Sequence, residues 1–248
     1  MSRYKYWICL CGVFLLFLSS SVWGAEKENP TQKEKEEQGI AGEWVQADDT
    51  WYYQYEDGTI TKNEWIWVDK YWYHIDQNGQ MDCGWKEIDG QLYYFRESGA
   101  MQSGWMNEGD DWYFMDSNGH KITGWQQIYD FTYYFDEQGI MQTGWMCFDG
   151  QWMYFKESGT MQTGWVIEGD DWYYLNEDGF RVTGWTQIDG DTYYFDDQGI
   201  MKTGWMYLDD HWMYFGDGGI LKKSMDTWIY GWWFHFNELG EWVKGIIS

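Results

Sequence analysis

Residues 164–185 read GWVIEGDDWYYLNEDGFRVTGW, with a Gly-Trp pair at each end and 20 residues from one tryptophan to the next. The same spacing runs through Trp85, Trp105, Trp125, Trp145, Trp165, Trp185 and Trp205, each preceded by glycine. Degenerate copies start at Trp44 and Trp65, and Met225 holds the tryptophan place in a last copy. Self-similarity at a short fixed period marks a repeat architecture, in which each unit is one supersecondary element completed by its neighbours. Counted from the repeat tryptophan as zero, offset +14 is glycine from Gly58 to Gly219, and offset +16 is usually methionine. Offsets +7 to +10 form an aromatic patch, as in Trp172-Tyr173-Tyr174-Leu175.

Each unit reads as a β-hairpin. The first strand starts at the Gly-Trp pair. Asp89-Gly90, Asp149-Gly150 and Asp189-Gly190 stand where a tight turn with positive φ is required. The second strand is the aromatic patch, whose residues suit a pleated surface. Glycine at +14 supplies a left-handed backbone position in the connecting loop. A single hairpin is marginal in water, so stacked hairpins that bury one another's aromatic faces are expected. The fold class that follows is all-β, a hairpin solenoid of roughly 20-residue repeats that is elongated and free of helical domains.

A longer period overlies the short one. EGDDWYF at 108–114 returns as EGDDWYY at 168–174, and FRESGAMQSGW at 95–105 as FKESGTMQTGW at 155–165. TYYFDEQGIMQTGWM at 132–146 returns as TYYFDDQGIMKTGWM at 192–206. Three hairpins therefore make one 60-residue block.

Composition agrees with this reading. The 248 residues include 22 Trp, 21 Tyr and 13 Phe, with one Pro, so aromatic rings stand where aliphatic side chains fill an ordinary core. The formal charge of −25 argues against nucleic acid or an anionic membrane as partner and suits a cationic or neutral ligand. Residues 1–24 read as a secretory signal: Arg3 and Lys5, then the apolar run Tyr6–Leu18, then small residues with Val22 and Gly24 before a cleavage point at Ala25. The run of 13 residues is too short to span a bilayer, although an uncleaved anchor is the alternative. Residues 25–41, AEKENPTQKEKEEQGIA, are charged and nearly free of apolar side chains, which fits a disordered spacer or tether. The repeat domain is then 42–248. Cys83 lies two before its repeat tryptophan and Cys147 two after its own, so two free thiols are expected.

The segment at 164–185 resembles the choline-binding, or cell-wall-binding, repeat of Gram-positive surface proteins and phage lysins. GWTQIDGDTYYFDDQGIMKTGW at 184–205 is similar to the variant in glucan-binding and clostridial toxin repeats. The resemblance covers Gly42 to about Gly245. It implies a β-solenoid in which each hairpin is turned by about a third of a revolution, three per superhelical turn, so that a 60-residue period keeps like chemistry on one side. It also implies choline held in an aromatic box between successive hairpins. A quaternary ammonium donates no hydrogen bond and is attracted to the negative faces of Trp and Tyr, roughly 0.5–2 kcal/mol per ring.

Carried onto this chain, the box needs tryptophan at offsets 0 and +7. Both are present as Trp44 with Trp51, Trp65 with Trp72, Trp105 with Trp112, Trp145 with Trp152, Trp165 with Trp172, and Trp205 with Trp212. Met101, Met141, Met161 and Met201 at +16 are candidates for a further wall. Leu92, Thr132 and Thr192 replace the +7 tryptophan, and Met225 the offset-0 one, although Trp232 remains. Each Trp pair also has a plain reading as inter-hairpin core.

Other chemistry finds no support. His74, His120, His211 and His235 share no repeat position, so no repeated metal or catalytic site follows. The acidic residues fall in turns and loops rather than as the two carboxylates a glycosidase sets across a cleft. Asp116-x-Asn118-Gly119 and Asn176-x-Asp178-Gly179 are turns, lacking the rest of a calcium loop. No cofactor is implied. The expected function is a non-catalytic, secreted, wall-associated protein that binds choline on teichoic acid or a related wall polymer. Binding of a glucan or other glycan is the alternative, favoured by the Thr-Tyr-Tyr-Phe units, and a binding fragment of an autolysin is a third reading. Many weak sites facing a repetitive polymer give avidity without a tight single site.

Overall fold

The computed structural model describes residues 42–243, which fall into two compact units, 42–142 and 143–243. The signal and spacer segments lie outside the described residues. Each unit is a succession of five antiparallel hairpins, with no helix among the described residues. In the first unit the strand pairs are Gly42–Ala47 with Thr50–Tyr55, Glu64–Val68 with Tyr71–Ile75, Gly84–Ile88 with Gln91–Phe95, Gly104–Glu108 with Asp111–Met115, and Gly124–Ile128 with Phe131–Phe135. In the second they are Gly144–Phe148 with Gln151–Phe155, Gly164–Glu168 with Asp171–Leu175, Gly184–Ile188 with Asp191–Phe195, Gly204–Leu208 with His211–Phe215, and Met225–Ile229 with Trp232–Phe236. Trp242–Val243 adds a third strand to the last sheet.

The turns take the conformations their residues favour. Asp89-Gly90, Asp149-Gly150 and Asp189-Gly190 have positive φ at both residues, the type I′ pattern that matches strand twist. In the Glu-Gly-Asp-Asp turns at 108–111 and 168–171 it is the glycine, Gly109 or Gly169, that has positive φ. Where +11 is Asp or Asn, as at Asp76, Asp116, Asp136, Asn176, Asp196 and Asn237, its side chain closes the loop after the hairpin. Asp136 Oδ1 accepts the backbone N–H groups of Gln138 (2.9 Å) and Ile140 (2.8 Å), and Asp196 does the same for Gln198 and Ile200. Asp116 and Asn176, the acidic and amide residues of the calcium-like fragments, accept backbone N–H groups in this way, so those fragments are turns. Burial alone would raise the Asp76 carboxyl, but the N–H groups of Gln80 and Asn78 hold it below the ordinary carboxylate range.

The core repeats hairpin by hairpin. From the second hairpin on, offset +10 is fully buried: Ile75, Phe95, Met115, Phe135, Phe155, Leu175, Phe195, Phe215 and Phe236 are all 0% exposed, whereas Gln54 in the first hairpin is half-buried. Two links join a hairpin to the one before it. The N–H at +16 donates to the carbonyl at +7 of the preceding hairpin, as in Met101 to Trp72 (2.8 Å), Met141 to Trp112 (2.8 Å) and Met201 to Trp172 (2.8 Å). The offset-0 tryptophan packs on +8 and +10 of the following hairpin, as Trp105 does on Tyr133 and Phe135 at 5.0 and 5.9 Å between ring centroids.

Glycine at +14 has a second role beside its positive φ. A Cβ on Gly119 would lie 2.4 Å from Met101 Sδ, and one on Gly219 2.3 Å from Met201 Sδ. The methionine of one loop is thus laid against the bare backbone of the next.

The strand register corrects the last copy. Trp205 pairs with Tyr214 and Tyr207 with Trp212, whereas Asp226 pairs with His235 and Trp228 with Trp233. Asp226, not Met225, therefore stands in the tryptophan place, and Trp233 rather than Trp232 in the +7 place. The linker carries one extra residue, and Ser224 takes a left-handed φ of 52° to absorb it. Cys83 is the free thiol among the described residues. Cys147 is disulfide-bonded, against the expectation of two free thiols.

Two substitutions at left-handed glycines separate strain from packing. Gly90→Ala places its Cβ in open space and costs about 1–2 kcal/mol of backbone strain. Gly119→Ala adds a clash with Met101 and should cost at least about 1 kcal/mol more in chemical denaturation. Equal losses would show that conformational freedom alone selects glycine at +14. Asp136→Asn, which keeps an amide oxygen where Asn176 uses one, should be near neutral. Asp136→Ala leaves two N–H groups without their acceptor and should cost about 1–2 kcal/mol, read from the same curves.

Candidate functional site: aromatic boxes between hairpins

Strand pairing puts offsets 0 and +7 on adjacent strands of one hairpin, and stacking brings +8 of the next hairpin against them. Trp105 and Trp112 meet edge to face, with centroids 6.3 Å apart at 75°, and Tyr133 of the next hairpin stands 5.0 Å from Trp105. The arrangement returns 60 residues on: Trp165 and Trp172 at 6.0 Å and 80°, with Tyr193 at 5.1 Å from Trp165. Trp205 and Trp212 repeat it at 6.4 Å and 82°, with Phe234 at 4.8 Å and Trp242 at 6.1 Å from Trp205. In each case the offset-0 ring is half-buried while the +7 ring is exposed, 45% at Trp112, 43% at Trp172 and 46% at Trp212.

The candidate methionines divide. Met141 packs with Trp105 and Tyr133, and Met201 with Trp165 and Tyr193, so both belong to the boxes. Met101 hydrogen-bonds the Trp72 carbonyl through its backbone and lies against Gly119. Met161 pairs with Phe155 and lies against Gly179. Burial pushes the Tyr133 phenol above its ordinary range, and burial followed by the nearby Asp191 and Asp189 does the same for Tyr193. Both rings therefore stay neutral at physiological pH.

The other three Trp pairs differ. Trp44 packs edge-on against Tyr53 and against Tyr73 of the next hairpin, with Trp51 exposed on the neighbouring strand. Trp65 packs on His74, Tyr93 and Phe95, while Trp72 turns to Trp67 at 5.2 Å. Trp145 and Trp152 have a guanidinium over them, Arg181 Cζ lying 5.9 and 5.6 Å from the two ring centroids.

Several of these features lay beyond the reading of offsets alone. The third wall, tyrosine at +8, sits in a strand already read as an aromatic patch, but its partner ring depends on the rotation between hairpins. His74 Nδ1 lies 2.6 Å from Asp82 Oδ2 in a buried pair, with Lys86 Nζ 2.9 Å from the other oxygen. No repeat position announces that triad. Indole N–H groups also find carboxylates of the next hairpin: Trp85 donates to Glu108 at 2.7 Å and Trp145 to Glu168. The signal for both was present in the recurring Glu-Gly-Asp-Asp turn.

A model of the choline-binding repeat matches residues 83–123, 122–157, 143–179 and 182–224, more than half of the chain. A second, described as a putative cell wall binding repeat, matches 42–60 and 63–81. The chain belongs to the choline-binding repeat family.

No curated protein matches this choline-binding repeat chain. Among solved structures it is similar to choline binding protein F from Streptococcus pneumoniae, crystallised with a tetrasaccharide-pentapeptide analogue of peptidoglycan. The likeness is 30% identity with a TM-score of 0.67 over 81% of this chain and 77% of that one. It is also similar to the choline-binding domain of CbpL from the same organism, at 26% identity and TM-score 0.52 over 73% of this chain and 97% of that one. CbpJ from Streptococcus pneumoniae shares the fold at 24% identity and TM-score 0.57, covering 82% of this chain and 94% of that one.

Proposed function

We propose that the protein is an exported, non-catalytic cell-wall-attachment protein that binds choline on teichoic acid or a related wall polymer. The observation that carries this reading is the recurrence of one geometry at Trp105–Trp112–Tyr133 and Trp165–Trp172–Tyr193, two edge-to-face indoles and a tyrosine from the next hairpin. Rings set at right angles present more than one face to a common point, which suits a trimethylammonium group that has no N–H to donate. Met141 and Met201 supply polarizable surface beside the rings. Trp205–Trp212–Phe234 is a third candidate of the same kind.

The negative charge of the chain raises the local concentration of a cationic polymer group at its surface. Each site is weak by itself, and their number on one chain gives retention on a polymer that repeats its own ligand. Choline-binding repeats are found in cell-surface proteins of Gram-positive bacteria, which agrees with residues 1–24 acting as a signal removed before Ala25 and 25–41 as a tether. The mature N-terminus, sequenced from culture supernatant or wall extract, should be Ala25. A chain that starts at Met1 would make the segment an anchor.

The binding test is choline stoichiometry by calorimetry. Trp112→Ala and Trp172→Ala should each lose a site, since each removes a ring face worth roughly 1–2 kcal/mol when desolvated. Thr132→Ala and Thr192→Ala remove no ring and should lose none. Circular dichroism must stay native in all four, because truncating a packed tryptophan also costs stability. Unchanged stoichiometry in folded Trp112→Ala and Trp172→Ala would refute the box assignment and leave glycan binding through the tyrosine-rich units as the better account.

A further inference from the structure

The +16 position is methionine, leucine or isoleucine in most hairpins, but Lys121 and Arg181 stand there in the Trp105 and Trp165 hairpins, 60 residues apart. Both reach back over the tryptophan of the preceding hairpin. Lys121 Nζ lies 5.4 Å from the Trp85 ring centroid. Arg181 lies over two rings, Trp145 and Trp152, at 5.9 and 5.6 Å. These are cation–π distances, and the two rings under Arg181 are those of a complete tryptophan pair.

The stem of Arg181 is fixed. Its backbone N–H donates to the Trp152 carbonyl at 2.7 Å, and a Cβ on Gly199 would fall 2.5 Å from its Cδ, so the side chain lies flat against that glycine. Its Nε is buried without a hydrogen-bond partner among the described residues. A donor left so would be costly were the rings not beneath it. Burial pulls the guanidinium below its usual range, with Tyr173 and Asp196 acting the other way, and it remains a cation at any physiological pH. The surroundings of Trp145 have closed accordingly. It is 8% exposed, and Trp152 is half-buried where Trp112, Trp172 and Trp212 are open. Glu168 receives the Trp145 indole N–H, so one hairpin supplies both the carboxylate at the ring's edge and the cation at its face.

We propose that Arg181 is a built-in ligand of the Trp145–Trp152 box, a tethered cation that closes this junction to quaternary ammonium groups and leaves choline to the Trp-pair junctions where +16 carries no cation. Lys121 plays the same part at Trp85, where Leu92 leaves a single tryptophan. The selection of sites is thus made by the residue at +16 and not by the tryptophan pair alone. The proposal rests on the choline reading above.

Its test is Arg181→Met, which installs the residue that Met141 and Met201 show to be compatible with the fold. Calorimetry on the full chain should give one more choline per chain than the wild type, with the existing sites unchanged. Lys121→Met should add none, because Leu92 offers no second ring. Unchanged stoichiometry in folded Arg181→Met would overturn the proposal. So would a gain in both variants, which would mean that removing positive charge is enough. A readout that needs no choline separates this from failure of the choline reading. In the NMR spectrum of the wild type, the Arg181 Nε–H should be shifted upfield by the ring currents of Trp145 and Trp152, and the shift should shrink in Trp152→Ala. An unshifted Arg181 signal would sink the tethered-cation assignment even if choline binds elsewhere. A shifted signal in a chain that binds no choline would keep the cation on its rings and overturn its role in selecting choline sites.

Discussion

A two-stranded hairpin has no interior, and this constraint governs the rest of the structure. The +10 phenylalanines Phe95, Phe135, Phe195, Phe215 and Phe236 are 0% exposed, each with the tryptophan of the hairpin before it packed on its ring. Stability is then a property of junctions, each worth the burial of one +10 residue, one +8 ring and part of one tryptophan. The same junction also forms the candidate site. Its two indoles share the labour unequally: the offset-0 ring is committed to packing on one face, while the +7 ring is left open to solvent. A protein built so has its cohesion and its recognition surface in the same few side chains.

Much of this was legible because it is local. The period and the Asp-Gly turns follow from spacing within one unit, and the structure reproduces them; the register pairs offset 0 with +9 and +7 with +2, which sets the two tryptophans diagonally across the hairpin. What depends on the relation between units was not legible. Tyr133 and Tyr193 complete the boxes from the following hairpin, and no count of residues along one hairpin predicts which ring they approach. Arg181 looks like an ordinary surface substitution until the loop is seen folded back over Trp145 and Trp152. The last copy was misaligned by one place because counting in 20s assumes no insertion, whereas the backbone at Ser224 accommodates one. The reading of +14 glycine as a source of positive φ was half of its reason, the other half being the methionine that lies against it.

Electrostatics gives the internal cations their meaning. The sequence sets 16 lysines and arginines against 41 acidic residues, and among the described residues Lys121 and Arg181 lie over tryptophan faces rather than on the carboxylates that surround them in number. An exposed ion pair contributes little in water, whereas a guanidinium held over two indoles brings desolvated apolar stem and ring attraction together. On the proposed function, similar contact chemistry serves two ends in one chain, structural where the cation is its own and adhesive where the cation belongs to the wall.

The hydrogen bond from +16 to the preceding +7 carbonyl ties residues 29 apart, as in Met101 and Trp72 or Met201 and Trp172. An insertion or deletion within a strand between such partners would pull two neighbouring junctions out of phase at once, whereas the extra residue at Asn63 is absorbed and Met81 still donates to the Trp51 carbonyl at 2.9 Å. The chain can therefore lengthen or shorten only in whole units, and the Lys121 and Arg181 hairpins stay in step only if the unit exchanged is the 60-residue block. A gene for such a protein changes size in quanta, and the linkers around Asn63 and Ser224, each holding one extra residue in a left-handed turn, are the places where that quantisation is relaxed.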